Sequence, residues 1–155
     1  VYNTMKDLSD RGRMGDVVAI CANENVGYWH QAHAFARGNW GNSQETSPMI
    51  LKKSCHDMDI LTWLRGKRCK SVSSIGSTTL FKPSMAPEGA ALRCLDGCKA
   101  KDACPFDAEK IYITSPKTGR AKGDSWITSV LSVENTLEST YQALREGPYG
   151  RGVYH

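Results

Sequence analysis

Lys52, His56 and Asp59, in the run KKSCHDMD, stand four and three residues apart, a spacing that gathers side chains on one face of a helix. An imidazole titrates near neutrality and is the commonest general acid or base, and a neighbouring Lys can hold a substrate oxygen or bias that titration. The plainer reading of the same residues is structural: His56 caps a helix start and Asp59 complements its dipole.

A second group lies upstream in NVGYWHQAHAFARGNW, which clusters Tyr28, Trp29, His30, His33, Phe35, Arg37 and Trp40. Aromatic rings cover C–H surface while His and Arg grip hydroxyls or carboxylates, so the mixture suits a sugar or polyol. The alternative is that the rings merely pin a long loop. A third group is Cys94-x3-Cys98-x5-Cys104. Three thiolates this close are candidates to share a zinc ion, with Cys55, Cys69 or a His as fourth ligand, although the spacing is not a paired CxxC and a reduced trio fits it as well. No GxGxxG opens a helix after a strand, and Gly147, Gly150 and Gly152 follow a helical pattern instead. Walker, GxSxG and HExxH motifs are absent too, so nothing here binds a nucleotide by itself.

The elements that must carry these groups follow from local pattern. Met5 and Leu8 share one side of a helix over 2–10, ended by Gly12 and Gly15, and the apolar run 17–22 reads as a strand. Residues 23–47 have no sustained period and read as a long surface loop. CHDMDILTWLRG gives a helix with an apolar stripe of Ile60, Leu61, Trp63 and Leu64 and Gly66 at its C-terminal cap. Residues 71–81 are rich in β-branched side chains and read as a strand, with Gly76 marking a bulge. The Pro-containing stretch 82–110 reads as an irregular insertion before a strand at 111–113. A last helix spans 135–146, closed by Gly147-Pro148. Strands mixed with helices, without a βαβ rhythm, predict an α+β domain whose open, mostly antiparallel sheet is covered by helices on one face. The bare face predicts a partner.

Length and composition set the outer limits. The 155 residues suit one domain, and 40% hydrophobic with 23% charged residues exclude a disordered tail or a fibre. A net charge of +4 with scattered basic residues gives no footprint for nucleic acid, and no apolar run approaches the roughly 20 residues that span a bilayer. Six Cys without a signal peptide predict reduced thiols in a cytoplasmic protein. The chain opens at Val1 without an initiator Met, which reads as a piece of a longer protein, cut at both ends.

Taken in order, GRMGDVV, ENVGYWHQAHAFARGNW, SPMILKKSCHDMDILTWLRG, APEGAALRCLDGC, CPFDAEKIY and LREGPYGRGVY resemble the C-terminal domain of the Gfo/Idh/MocA oxidoreductases, the family of glucose-fructose oxidoreductase and inositol dehydrogenase. The resemblance implies that residues 1–155 form a substrate-binding and oligomerisation domain, with the Rossmann domain absent from this chain. It implies an NAD(P)-dependent dehydrogenase in the full-length protein, with NAD or NADP held mainly by that missing domain and an isolated fragment without activity. Hydride would pass between nicotinamide and a hydroxyl-bearing carbon of a sugar or polyol, and the protein would be a homo-oligomer. The family motif DxGxHxxD falls on residues 52–59, so His56 takes the place of the catalytic His and Asp59 that of the following Asp. Lys52 and Ser54 replace the usual Asp and Gly. A carboxylate would raise the basicity of the His where an ammonium lowers it, so Lys52 either polarises the substrate oxygen or marks a domain that has kept the fold as a non-catalytic ligand-binding or assembly module, with zinc as a possible stabiliser. Tyr28, Trp29, His30, His33 and Arg37 are the substrate-binding candidates.

Overall fold

A computed structural model describes residues 1–120, 126–131, 134 and 136–155. Its helices are α1 (Tyr2–Asp10), α2 (Tyr28–His30), α3 (Met49–Lys52), α4 (Cys55–Arg65), α5 (Trp126–Ser129) and α6 (Leu137–Glu146). Two π-helical segments, Gln31–Ala36 and Lys110–Thr114, join them.

No strand or sheet exists among the described residues, which overturns the expectation of an open antiparallel sheet covered on one face. The physical reason is the lack of ladder partners. The strands expected over residues 17–22 and 71–81 take no regular secondary structure, and Val18 and Ile75 are almost fully exposed at 94% and 98%. β-branched propensity stabilises a strand only where a neighbour supplies hydrogen bonds and packing. The expected strand 111–113 is helical instead, and Ile111, Tyr112 and Ile113 are all buried. A run of three buried apolar residues fits a helix surrounded by protein as well as a strand, and here the surroundings are helical. Among the described residues the lone β contact is an antiparallel bridge between Arg93 and Arg151.

The chain divides into two compact units, each built from two stretches of sequence: unit 1 from Val1–Asn25 and Ser47–Gly76, unit 2 from Val26–Thr46 and Ser77–His155. Unit 1 holds α1, α3 and α4. The expected helices 2–10 and 55–65 form as read, and Gly66 closes α4 in the left-handed region at φ 65°, its amide donating to the Thr62 carbonyl at 2.9 Å. Met5, Met14, Val17, Ile20 and Leu64 line a small apolar pocket, yet no residue of unit 1 is buried.

Unit 2 contains the core. Ala108, Ile111, Tyr112, Ile113, Ile127, Leu144 and Tyr149 form one cluster, and Ala32, Phe106, Val153 and Tyr154 another. The stretch expected as a surface loop supplies part of it: residues 28–36 are helical, and Ala32, His33, Ala34 and Arg37 are buried. Small Ala side chains at 32 and 34 let this wide helical turn pack closely. α6 starts with a capping box, in which Thr136 Oγ1 accepts from the Ser139 amide at 3.1 Å and Ser139 Oγ from the Thr136 amide at 3.2 Å. Its C-terminal end is held by Arg93, whose guanidinium donates to the Leu144 and Gly147 carbonyls, both at 2.7 Å. A Cβ on Gly150 would overlap the Leu144 carbonyl, so only glycine lets the tail cross α6 there.

Candidate functional site

In unit 1, His56 and Asp59 lie three residues apart on α4, and both are exposed. Lys52 does not continue the same helix. It ends α3, and Lys53 and Ser54 break the backbone before α4 begins. The single helical face expected for all three residues is therefore interrupted between Lys52 and His56. No side chain caps α4, so His56 does not serve as its cap. Cys55 Sγ lies 3.9 Å from its ring Nδ1. Lys53 pairs with Glu24 at 3.0 Å. What this surface offers chemically is an accessible imidazole with a carboxylate one turn away, free to meet a ligand hydroxyl.

In unit 2, the aromatic and histidine residues divide. His33 is buried, its Nδ1–H donates to the Trp29 carbonyl at 2.9 Å, and its ring stacks on Trp29 and His30 at centroid distances of 5.0 and 5.1 Å. Burial, helped by the nearby His30, holds the His33 imidazole down to about 4, so it is neutral at ordinary pH. Arg37 is buried as well. Its guanidinium donates to the Phe106 carbonyl and, at 3.6 Å, to Cys94 Sγ. Burial pushes the Tyr112 hydroxyl and the Cys94 thiol up, the Arg37 charge pulling against both. His33 and Arg37 thus build the core of unit 2 and are not displayed to a ligand.

Tyr28 and Trp29 are displayed. They line a pocket of about 480 Å³ together with Asp102, Lys110, Ser115, Lys117 and Thr118. Of the substrate-binding candidates, these two share a cavity, His30 is half-buried in the ring stack, and His33 and Arg37 are withdrawn. The sequence reading missed the lysines of this pocket. The signal was present in the turn SPKTG after the apolar IYI, whose Ser115 Oγ accepts from the Lys117 and Thr118 amides, both at 3.2 Å.

Cys94, Cys98 and Cys104 line one small apolar cavity with Phe106, Val153 and Tyr154, and all three thiols are free. Among the described residues no group of three or more His, Cys, Asp or Glu is placed to hold a metal ion, so the trio does not fit the zinc site its spacing suggested. The described residues do not fit a dinucleotide either: no strand leads into a Gly-rich turn, and Gly150 serves the crossing over α6.

Residues 6–104 match the family described as oxidoreductase family, C-terminal alpha/beta domain. This chain belongs to that family. The matched segment of the Gfo/Idh/MocA domain contains the His56 motif, the aromatic stretch and the three Cys, and it ends before Lys110–Thr114 and α6. A Bacillus subtilis (strain 168) protein named "Putative oxidoreductase YteT" is 24% identical over 110 residues, covering 68% of this chain and 25% of that protein. The chain thus spans about a quarter of the length of the curated relative it matches. No solved structure matches it. Among the described residues, no helix is long and apolar enough to cross a membrane.

Proposed function

We propose that this Gfo/Idh/MocA domain is the substrate-binding and oligomerisation part of an NAD(P)-dependent dehydrogenase acting on a sugar or polyol, in a homo-oligomeric cytoplasmic protein. The observation that carries the reading is the exposed His56–Asp59 pair on α4, at the place of the family's catalytic His motif and within the matched segment. In this reading His56 takes the proton of the substrate hydroxyl, Asp59 favours the resulting imidazolium, and Lys52 polarises the substrate oxygen. Unit 2, taken by itself, carries in Tyr28 and Trp29 ring faces of the kind that rest on sugar C–H surface. The nicotinamide cofactor, NAD or NADP, is assigned to parts of the protein outside this chain.

The test is His56→Ala in the full-length protein, with turnover and cofactor affinity measured side by side. Turnover should fall by about 10²- to 10⁴-fold, the usual loss of a general base, while cofactor affinity holds. Unchanged turnover would end the assignment. A second reading, a ligand-binding module without hydride chemistry, is favoured by Lys52 and Ser54 at the places of the family Asp and Gly and by the break they flank between α3 and α4. It expects sugar binding by the full-length protein with no turnover under any nicotinamide cofactor.

A further inference from the structure

The pocket of unit 2 has two unlike kinds of lining. One is an aromatic wall of Tyr28 and Trp29. The Trp29 ring is fixed by its stack on His33, itself tied back to the Trp29 carbonyl, and the exposed Tyr28 ring is braced edge-on by Phe106 at 6.0 Å. A ligand meeting this wall orders little that is not already ordered. Ala103, Cys104, Pro105 and Ile111 add apolar lining, and the remaining lining residues are polar. Lys110 Nζ donates to the carbonyls of Lys101 at 2.8 Å and Asp102 at 2.5 Å, which uses two of its three hydrogens and holds the ammonium in place. Lys117 is exposed and its ammonium has no partner among the described residues. Two ammonium groups against the one carboxylate of Asp102 leave the cavity positive. Its volume of about 480 Å³ lies within the range of small-molecule sites.

We propose that this pocket binds an anionic sugar, a pyranose bearing a carboxylate or a phosphate. The ring's C–H face rests on Trp29 and Tyr28, Asp102 and Ser115 take hydroxyls, and the anionic group meets Lys110 and Lys117. This rests on the reading above that the protein binds a sugar, and it names the class of sugar for the pocket of unit 2 alone. Neutral sugars need aromatic walls and hydroxyl partners alone, so the paired lysines are what point to the charged class.

Calorimetric titration of the full-length protein with D-glucuronate, D-glucose 6-phosphate, D-glucose and inorganic phosphate, at one ionic strength, tests it. At least one anionic sugar should bind tenfold or more tighter than glucose, and Lys117→Ala should bring it down to the affinity of glucose. Tightening by glucuronate alone assigns the carboxylate, and by glucose 6-phosphate alone the phosphate; either supports the class. Equal affinity for glucose and both anionic sugars would overturn the anionic class and leave the sugar reading standing. Inorganic phosphate binding as tightly as the sugar phosphate would overturn it in favour of a bare anion site. No binding of any of the sugars would overturn it outright, and the His56→Ala assay decides separately whether the oxidoreductase reading survives.

Discussion

Units 1 and 2 solve opposite problems. Unit 1 displays the polar residues of the proposed chemistry and buries nothing, whereas unit 2 withdraws His33, Arg37 and Asp107 into two apolar clusters. In unit 1 the support is mostly local, the pairs Lys6–Asp10 and Arg11–Asp7 at α1 and the Gly66 cap on α4, with the Lys53–Glu24 pair and the partly exposed apolar residues around Leu64 adding longer-range contacts. Such pairs contribute a few tenths of a kcal/mol, and helices of fewer than about 12 residues are marginal on their own. Unit 2 gains from burial, at about 25 cal/mol per Å² of apolar surface. The lesson is that the residues of the proposed proton transfer stand on exposed helix surface, whereas His33 and Arg37 are withdrawn into the packed part of unit 2.

The largest test of this contrast is Leu144→Ala, at a fully buried side chain of unit 2. Urea unfolding should show a loss of about 2–5 kcal/mol, against under about 1 kcal/mol for Trp63→Ala in unit 1, which is 42% exposed. Equal losses would erase the distinction.

Next comes pH. The His33 imidazole is held down to about 4 when folded and has an ordinary value near 6.5 when unfolded. Above 6.5 both states are neutral there and the group gives no slope. As pH falls from 6.5 to 4, the unfolded chain takes up a proton that the folded one refuses, so stability drops by on the order of a few kcal/mol and then levels off. The urea midpoint of unit 2 followed across this window should fall, and His33→Gln should flatten that part of the slope. A smaller effect is expected at α6, where Thr136→Ala removes the capping box and should cost about 1 kcal/mol by the same measurement. Smallest of all is Lys53→Ala, which breaks the half-exposed pair with Glu24 and should change stability by under about 1 kcal/mol, an effect that fades with added salt.

Helical periodicity and end signals were legible in the sequence. α1, α4 with its Gly66 cap, and α6 before Gly147-Pro148 all lie where their spacing places them. The family was legible too, from motifs spread along the chain. What could not be read was whether β-branched runs would find partners. Val17–Ala22 and Ser71–Gly76 carry strand propensity but no neighbour to pair with, and Ile111–Ile113 is equally at home in a buried helix. The Gly- and Asn-rich flanks of 28–37 disguised a helix whose burial depends on Phe106, Tyr112 and Tyr149, far along the chain. At the candidate sites, exposure of His56 and Asp59 followed from their place on a polar helix face, while Lys110 and Lys117 share a pocket with Trp29 only because the fold brings together residues some 80 positions apart, which no local pattern encodes.

The interleaving of the two units has a consequence for synthesis. Ala32 completes its cluster only with Val153 and Tyr154, and the 120 residues from 33 to 152 are made in between. At about 5–20 residues per second, the stretch around Trp29 leaves the ribosome on the order of ten seconds before its last packing partners exist. Through that interval its rings and small apolar side chains have no completed core to enter, which makes this stretch the natural target of a chaperone on the nascent chain.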